Sequence, residues 1–243
     1  MPSNLPSRGG VSDRPAGGGL LLTALIIASS LAAGAFLLAR IRAESGHGPA
    51  PEPGPAPIVE TPSHRVTPEM LESSARLAET QVPDLRADAS DGASYDLRAL
   101  SASSPLVLVF IKGGCPCSMS AQPFFNELHA AYGRGARFLG VIHGDLELAR
   151  GWSREQRVPF PILADPEMQI IRAFRAENSA YVALISARGR VEGLWPGFSS
   201  GMLRELGARL ALLTGAEERP LDVSAAPEEM YTGCPFDWSV GGP

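Results

Sequence analysis

The chain has 243 residues, 44% of them hydrophobic, and a formal net charge of −5 with nearly all its positive charge on arginine. That is enough apolar material for one well-buried domain plus appendages. The acidic balance and the lack of a basic stripe exclude a nucleic-acid partner.

Residues 1–19 are rich in Gly, Pro and Ser and are expected to be disordered. The run 20–39, from Leu20 to Ala39, carries no charge and is mostly Leu, Ala and Ile. As a helix it would reach roughly 30 Å, the depth of a bilayer core, which makes it a transmembrane helix with the lipid bilayer as its partner. A signal peptide is the competing reading, but its apolar region is only about 7 to 15 residues long, and the following LLARIRAES lacks a clear cleavage site. An uncleaved, single-pass anchor is therefore expected. Arg8 and Arg14 before the span balance Arg40 and Arg42 after it, so charge does not orient it.

Residues 40–66 form a Pro/Ala-rich linker. His47 and His64, seventeen positions apart, make a poor metal site and read as solvated. Thr67, Pro68 and Glu69 have the pattern of an N-cap and first turn, opening a short helix to about Glu79. The globular domain is expected over 67–220. From Val82, a strand, an Asp91-Gly92 turn, a second short strand and a helical turn follow.

The segment that organises the rest reads PLVLVFIKGGCPCSMSAQPFFNELHAAY, over 105–132. Residues 106–111 are unbroken apolar, too short for a helix, and read as a buried central strand. Gly113 and Gly114 end it, and from Met119 to Tyr132 apolar residues recur at helical spacing. Cys115 thus stands between a buried strand and the first turn of a helix. Free amides and the positive end of the macrodipole favour a thiolate there, and cysteines so placed are reactive. Lys112, three residues earlier, either adds positive charge or points into solvent.

VLVFIKGGCPCSMSAQP resembles the active-site segment of the thioredoxin-like superfamily, specifically its redoxin (AhpC/TSA, peroxiredoxin-like) branch. Phe110 closing the strand, Cys115 as the nucleophile followed by Pro116, and Pro123 inside the helix carry the likeness. A proline at that point removes one helical hydrogen bond, so it is costly to place by accident. The resemblance implies an α/β thioredoxin-like fold: a central mixed sheet with helices on both faces. It also implies reduction of protein disulfides or of peroxides by a cysteine thiolate, without a cofactor. Tethered relatives place the domain on the extracytoplasmic side of the cytoplasmic membrane.

The departures from that pattern are specific. Ser118 stands where thioredoxins carry their second cysteine, and Cys117 is an extra thiol one position earlier. Peroxiredoxins place Thr or Ser three residues before the peroxidatic cysteine, where this chain has Lys112. The cis-proline that thioredoxin-like folds pack against the nucleophile corresponds to Ala180, and a cis bond before a non-proline residue costs about 2.5 to 4 kcal/mol.

Further along, a strand over 136–142, a helix over 146–157 and a strand edged by Pro159 and Pro161 alternate as parallel units do. Asp165 and Pro166 then read as the N-cap and first position of a helix, and VPFPILADP again resembles the redoxin pattern. Strands over 181–185 and 190–195 and a helix over 203–213 complete four or five strands. His143, ending a strand at the active edge of the sheet, is either an acid–base partner or a loop histidine.

The tail, 221–243, carries Met230, Tyr231, Phe236 and Trp238 around Cys234, and is expected to dock on the domain. Cys234 is then either a resolving cysteine or an idle thiol. With Cys115 as nucleophile, Cys117 or Cys234 would resolve the product, and Ser118 would donate a hydrogen bond to the thiolate. Two other classes stay open: a tethered copper-binding protein using Cys115, Cys117 and His143, and a redox-inactive thioredoxin-like binding module.

Overall fold

The computed structural model describes residues 64–237. The expected membrane span at 20–39 and most of the linker lie outside them, as does Trp238. Among the described residues no helix is long and apolar enough to cross a membrane.

Helix α1 (Pro68–Ala75) starts as expected, the Thr67 side chain accepting a bond from the Met70 amide. It ends earlier than Glu79, its last residues relaxing into turns. A two-stranded antiparallel hairpin follows, β1 (Arg86–Asp88) with β2 (Ser94–Asp96), turned at Gly92 with φ 87°. Asp96 caps α2 (Leu97–Ser101) by accepting from the Ala99 amide.

The main sheet is built from β3 (Leu106–Ile111), β4 (Arg137–Ile142), β5 (Ile162–Ala164), β6 (Val182–Ile185) and β7 (Val191–Trp195). Their order is β5-β4-β3-β6-β7, with β3, β4 and β5 parallel and β6 and β7 antiparallel to their neighbours. Between them run α3 (Pro116–Tyr132), α4 (Leu146–Glu155) and α5 (Gln169–Ala173), with α6 (Ser200–Thr214) after the last strand.

Strand β3 lies in the middle, and its two faces sort its side chains by the period of two. Val107, Val109 and Ile111 pack with Phe125 and Leu128 of α3, Trp152 of α4 and Leu206 of α6. Leu106, Leu108 and Phe110 face the other way, onto Leu97 of α2 and Ile170 and Ile171 of α5. A strand buried on both faces is why the run reads as unbroken apolar sequence. The result is the expected α/β thioredoxin-like architecture, a mixed sheet with helices on both faces.

One local expectation changes. Asp165 is not the residue adjoining the helix it serves, because α5 begins only at Gln169. Its carboxylate instead reaches forward to the amides of Gln169, Ile170 and Ile171, at 2.8, 3.0 and 2.9 Å. Met168, in the left-handed region at φ 54°, makes the turn that permits this.

The tail is stitched across the carboxyl end of the sheet. Tyr231 pairs with Phe198 through both backbone bonds, and Phe236 is buried with its amide on the Glu177 carbonyl at 2.8 Å.

Candidate active site

Cys115 is the N-cap residue of α3, as its position in the sequence predicts, with φ −80° and ψ 120°. Pro116 follows at the first helical position, where it gives up no helical bond. The origin of the anion's support differs from expectation, however: the Cys115 sulfur takes no capping bond from the amides of its own helix.

Its donors come from elsewhere. The Cys117 and Cys234 thiols both favour its anion, Cys117 the more strongly. The Ser179 hydroxyl donates to it at 3.4 Å, and the Cys234 backbone amide donates at 3.2 Å. These donors, the Cys117 thiol foremost, outweigh burial and bring the Cys115 thiol down to about 3. The residue is only 2% exposed, yet it is walled by polar groups rather than sealed in hydrocarbon.

The other two sulfurs pay for that anion with protons they keep. The hydrogen bond to Cys115, then burial, pushes the Cys117 thiol far above its ordinary range. Burial first, then the Cys115 sulfur, pushes Cys234 up to about 11. All three cysteines are free thiols, and the fold brings them to one place although Cys234 lies 119 positions from Cys115.

The segment 178–180 is the hinge of this arrangement. Described peptide bonds are all trans, and Ala180 occupies the expected cis-proline place at φ 61°, its amide bonded to the Phe110 carbonyl at 2.7 Å. A proline could not make that bond. Ser179 next to it takes up the tail as a further strand would: its amide donates to the Cys234 carbonyl at 3.0 Å, and its carbonyl accepts from Gly233 at 2.8 Å. Asn178 adds a side-chain bond to the Gly233 carbonyl at 2.8 Å. Gly233 has to be glycine, since a Cβ there would collide with the Ser179 hydroxyl.

Several supporting residues act otherwise than expected. Ser118 does not reach the thiolate; its hydroxyl accepts from the Lys112 amide at 3.3 Å and closes the turn after β3. Lys112 is a latch for the tail, its ammonium donating to the Pro235 carbonyl at 2.6 Å and to Asp237 at 3.3 Å. His143 packs its ring on Phe236, 5.7 Å between centroids, and its Nδ1 is buried without a partner. Burial, with Lys112 nearby, lowers its pKa. Among the described residues no group of three His, Cys, Asp or Glu side chains could hold a metal ion, so the copper reading with Cys115, Cys117 and His143 finds no ligand set.

Two residues escaped the sequence reading. Ser179 carries no motif of its own, although its place beside the missing proline is a signal. His64, expected to be solvated, has its Nδ1 3.0 Å from the Cys117 sulfur.

Residues 78–194 match the AhpC/TSA family. Over that segment the chain is similar to AhpC/TSA redoxin domains. Among solved structures, a hypothetical protein from Sinorhizobium meliloti is 19% identical with a TM-score of 0.54, over 68% of this chain and 96% of its own. An uncharacterized conserved protein from Geobacillus kaustophilus is 18% identical with a TM-score of 0.54, over 68% and 94%. Both likenesses establish the fold. The Xanthomonas campestris bacterioferritin comigratory protein, whose alkyl peroxide reduction activity has been studied, is 25% identical over 56% of this chain and 98% of its own, with a TM-score of 0.49. No curated protein matches the chain. The redoxin segment stops short of the tail, so Cys234 and its contacts lie beyond the matched residues.

Proposed function

We propose that this protein is a membrane-anchored thiol oxidoreductase in which the Cys115 thiolate attacks a disulfide or a peroxide, and a second cysteine of the same chain, Cys117 or Cys234, resolves the product. One observation carries the reading: three thiols converge, and only Cys115 among them is held as an anion. Against a peroxide, the Cys115 sulfur takes one oxygen and becomes a sulfenic acid, while the other oxygen leaves as alcohol or water after gaining a proton. A second thiol then forms a disulfide with Cys115 and expels water. Against a disulfide, Cys115 forms a mixed disulfide and releases one thiolate, and the second thiol releases the other.

The anchor is the uncharged run 20–39, followed by a linker long enough to hold the redoxin domain away from the bilayer. We place that domain on the extracytoplasmic side of the cytoplasmic membrane. Resistance of the full chain to alkaline extraction from membranes is expected, and release into the wash would remove this part of the proposal.

A second reading has an observation in its favour: the tail covers Cys115 and leaves it 2% exposed, as a redox-inactive binding module would tolerate. The reduced full chain, treated with one equivalent of hydrogen peroxide or of an aromatic disulfide and mapped by mass spectrometry, separates the two. Formation of an intramolecular disulfide that includes Cys115 supports the oxidoreductase. Three thiols left intact by both reagents would leave the binding module.

A further inference from the structure

Two thiols stand beside Cys115, and their surroundings differ in one respect. Cys117 is 1% exposed, so solvent has only slow access to its proton when it turns nucleophile. Its sulfur has instead a protein base at hydrogen-bond distance, the His64 imidazole, with Nδ1 3.0 Å away. Among the described residues, no histidine or carboxylate is hydrogen-bonded to the Cys234 sulfur. The placement of His64 is built, too: its carbonyl accepts from the Thr232 amide at 2.7 Å, Val66 donates to the Met230 carbonyl at 3.2 Å, and Arg65 pairs with Tyr231. The chain leading into the domain is thus fastened to the same tail that covers the site.

We infer that Cys117 is the resolving thiol and that His64 is the base that takes its proton, an assignment that rests on the reading of Cys115 as nucleophile. While Cys115 is an anion, the Cys117 hydrogen is engaged with it and Cys117 is silent. Once Cys115 has become a sulfenic acid or a mixed disulfide, that negative charge is gone. The Cys117 hydrogen is then free to pass to His64 Nδ1. The Cys117 sulfur attacks the Cys115 sulfur and the new S–S bond forms as the S–O or outer S–S bond breaks. The proton on His64 returns to the departing hydroxide or thiolate, so the histidine ends as it began. Among the described residues, the titratable groups besides His64 that act on Cys117 are Cys115 and Cys234; Arg65 beside His64 is engaged with Glu229 at 2.7 Å on the surface. A disulfide bridging only Pro116 is strained, hence readily reduced by an external thiol, which suits an intermediate rather than a structural bond.

The test uses the reduced full chain and its His64→Gln variant, mixed with equimolar hydrogen peroxide, quenched in acid at intervals, with sulfenic acid trapped by a cyclic dione and disulfides mapped by mass spectrometry. The parent is expected to give a Cys115–Cys117 disulfide. In His64→Gln that bond should form on the order of a hundredfold more slowly, with sulfenic acid building up on Cys115, and the rate should climb with pH as hydroxide replaces the missing base. A parental rate and pH profile in His64→Gln, or a parent disulfide that joins Cys115 to Cys234 alone, would overturn the inference while leaving Cys115 as nucleophile. A parent in which Cys115 reacts with neither peroxide nor an aromatic disulfide sinks both.

Discussion

Cys115 before α3 and Asp165 before α5 are two buried acids at helix amino ends, and their surroundings push them in opposite directions. Asp165 accepts three amides, all within six residues along the chain, yet burial still raises its pKa. Cys115 receives nothing from its helix amides and is nonetheless brought down to about 3, by donors of which two lie 64 and 119 positions away. A local cage forms whenever its own turn forms, and serves to end a strand and start a helix. A cage assembled from distant segments exists only when the tail is docked. The part of the reactive anion's support that comes from Ser179 and Cys234 is therefore conditional on tertiary structure, beyond what Cys117 supplies locally, and that of the structural one is not.

The largest effect expected from this difference is in the thiolate titration. In the parent, ultraviolet thiolate absorbance should persist from neutral pH down to about 3, whereas Cys115→Ser should show none until alkaline pH, since burial keeps Cys117 and Cys234 at or above the ordinary thiol range even without the Cys115 sulfur. The sign for stability follows from the same depression. An unfolded cysteine titrates near 8.5, so the stability contributed by the Cys115 thiolate is complete above about pH 8.5 and is lost as pH falls toward 3. Denaturant unfolding across that range should show this loss in the parent and not in Cys115→Ser. Equal low-pH absorbance in the two proteins would dispose of the anion.

Gly233→Val attacks the distant cage without touching a sulfur. A Cβ at Gly233 collides with the Ser179 hydroxyl and lies 2.8 Å from the Ser179 carbonyl, so the tail has to lift. The Cys234 amide leaves with it. The Cys115 titration midpoint should rise by about one to two units, each unit being about 1.4 kcal/mol, and bulky alkylating reagents should reach the sulfur faster. An unmoved midpoint would mean that the tail is a lid and not a donor.

The same contrast explains which parts of the molecule could be read from the chain alone. The sheet was legible because β3 is apolar on both faces and its neighbours alternate with helices, which are local patterns. The place of Cys115 at the start of α3 was legible for the same reason, from Gly114, Pro116 and the helical spacing after Met119. What stabilises it was not, because Ser179 and the Cys234 amide become donors only through a strand-like pairing between segments far apart in sequence. Proximity along the chain points Ser118 at the thiolate, but the helix turns it away toward the Lys112 amide. His64 was missed because its partner lies 53 positions on, and a lone histidine in a proline-rich stretch carries no pattern. Residues 20–39 fall outside the described part of the chain.

Asp165→Ala is the matching test of the local cage. It orphans three amides, two of them reached from buried positions, and removes a capping side chain. The domain should lose about 2 kcal/mol of stability in denaturant unfolding. Because raised acids favour the protonated fold, the loss should be no smaller in mild acid than at neutral pH. The Cys115 midpoint should stay where it is, since none of its donors passes through α5. A shift there would show that the two helix ends are coupled through the sheet.

Ser179→Ala should have the smallest effect of the set, and its size apportions the distant cage. The hydroxyl is one donor among several, and the Cys117 thiol and burial both act more strongly on Cys115 than it does. The backbone of Ser179, which pairs with Gly233 and Cys234, survives the substitution. Removing the hydroxyl alone should therefore raise the Cys115 midpoint by less than a unit, about 1 kcal/mol or below, and leave the reach of bulky reagents as it was. A rise as large as that in Gly233→Val would mean that the hydroxyl, and not the Cys234 amide, is what the docked tail protects. In that case the tail would govern the anion by excluding water from Ser179, and the conditional cage would depend on desolvation more than on a donor delivered from the end of the chain.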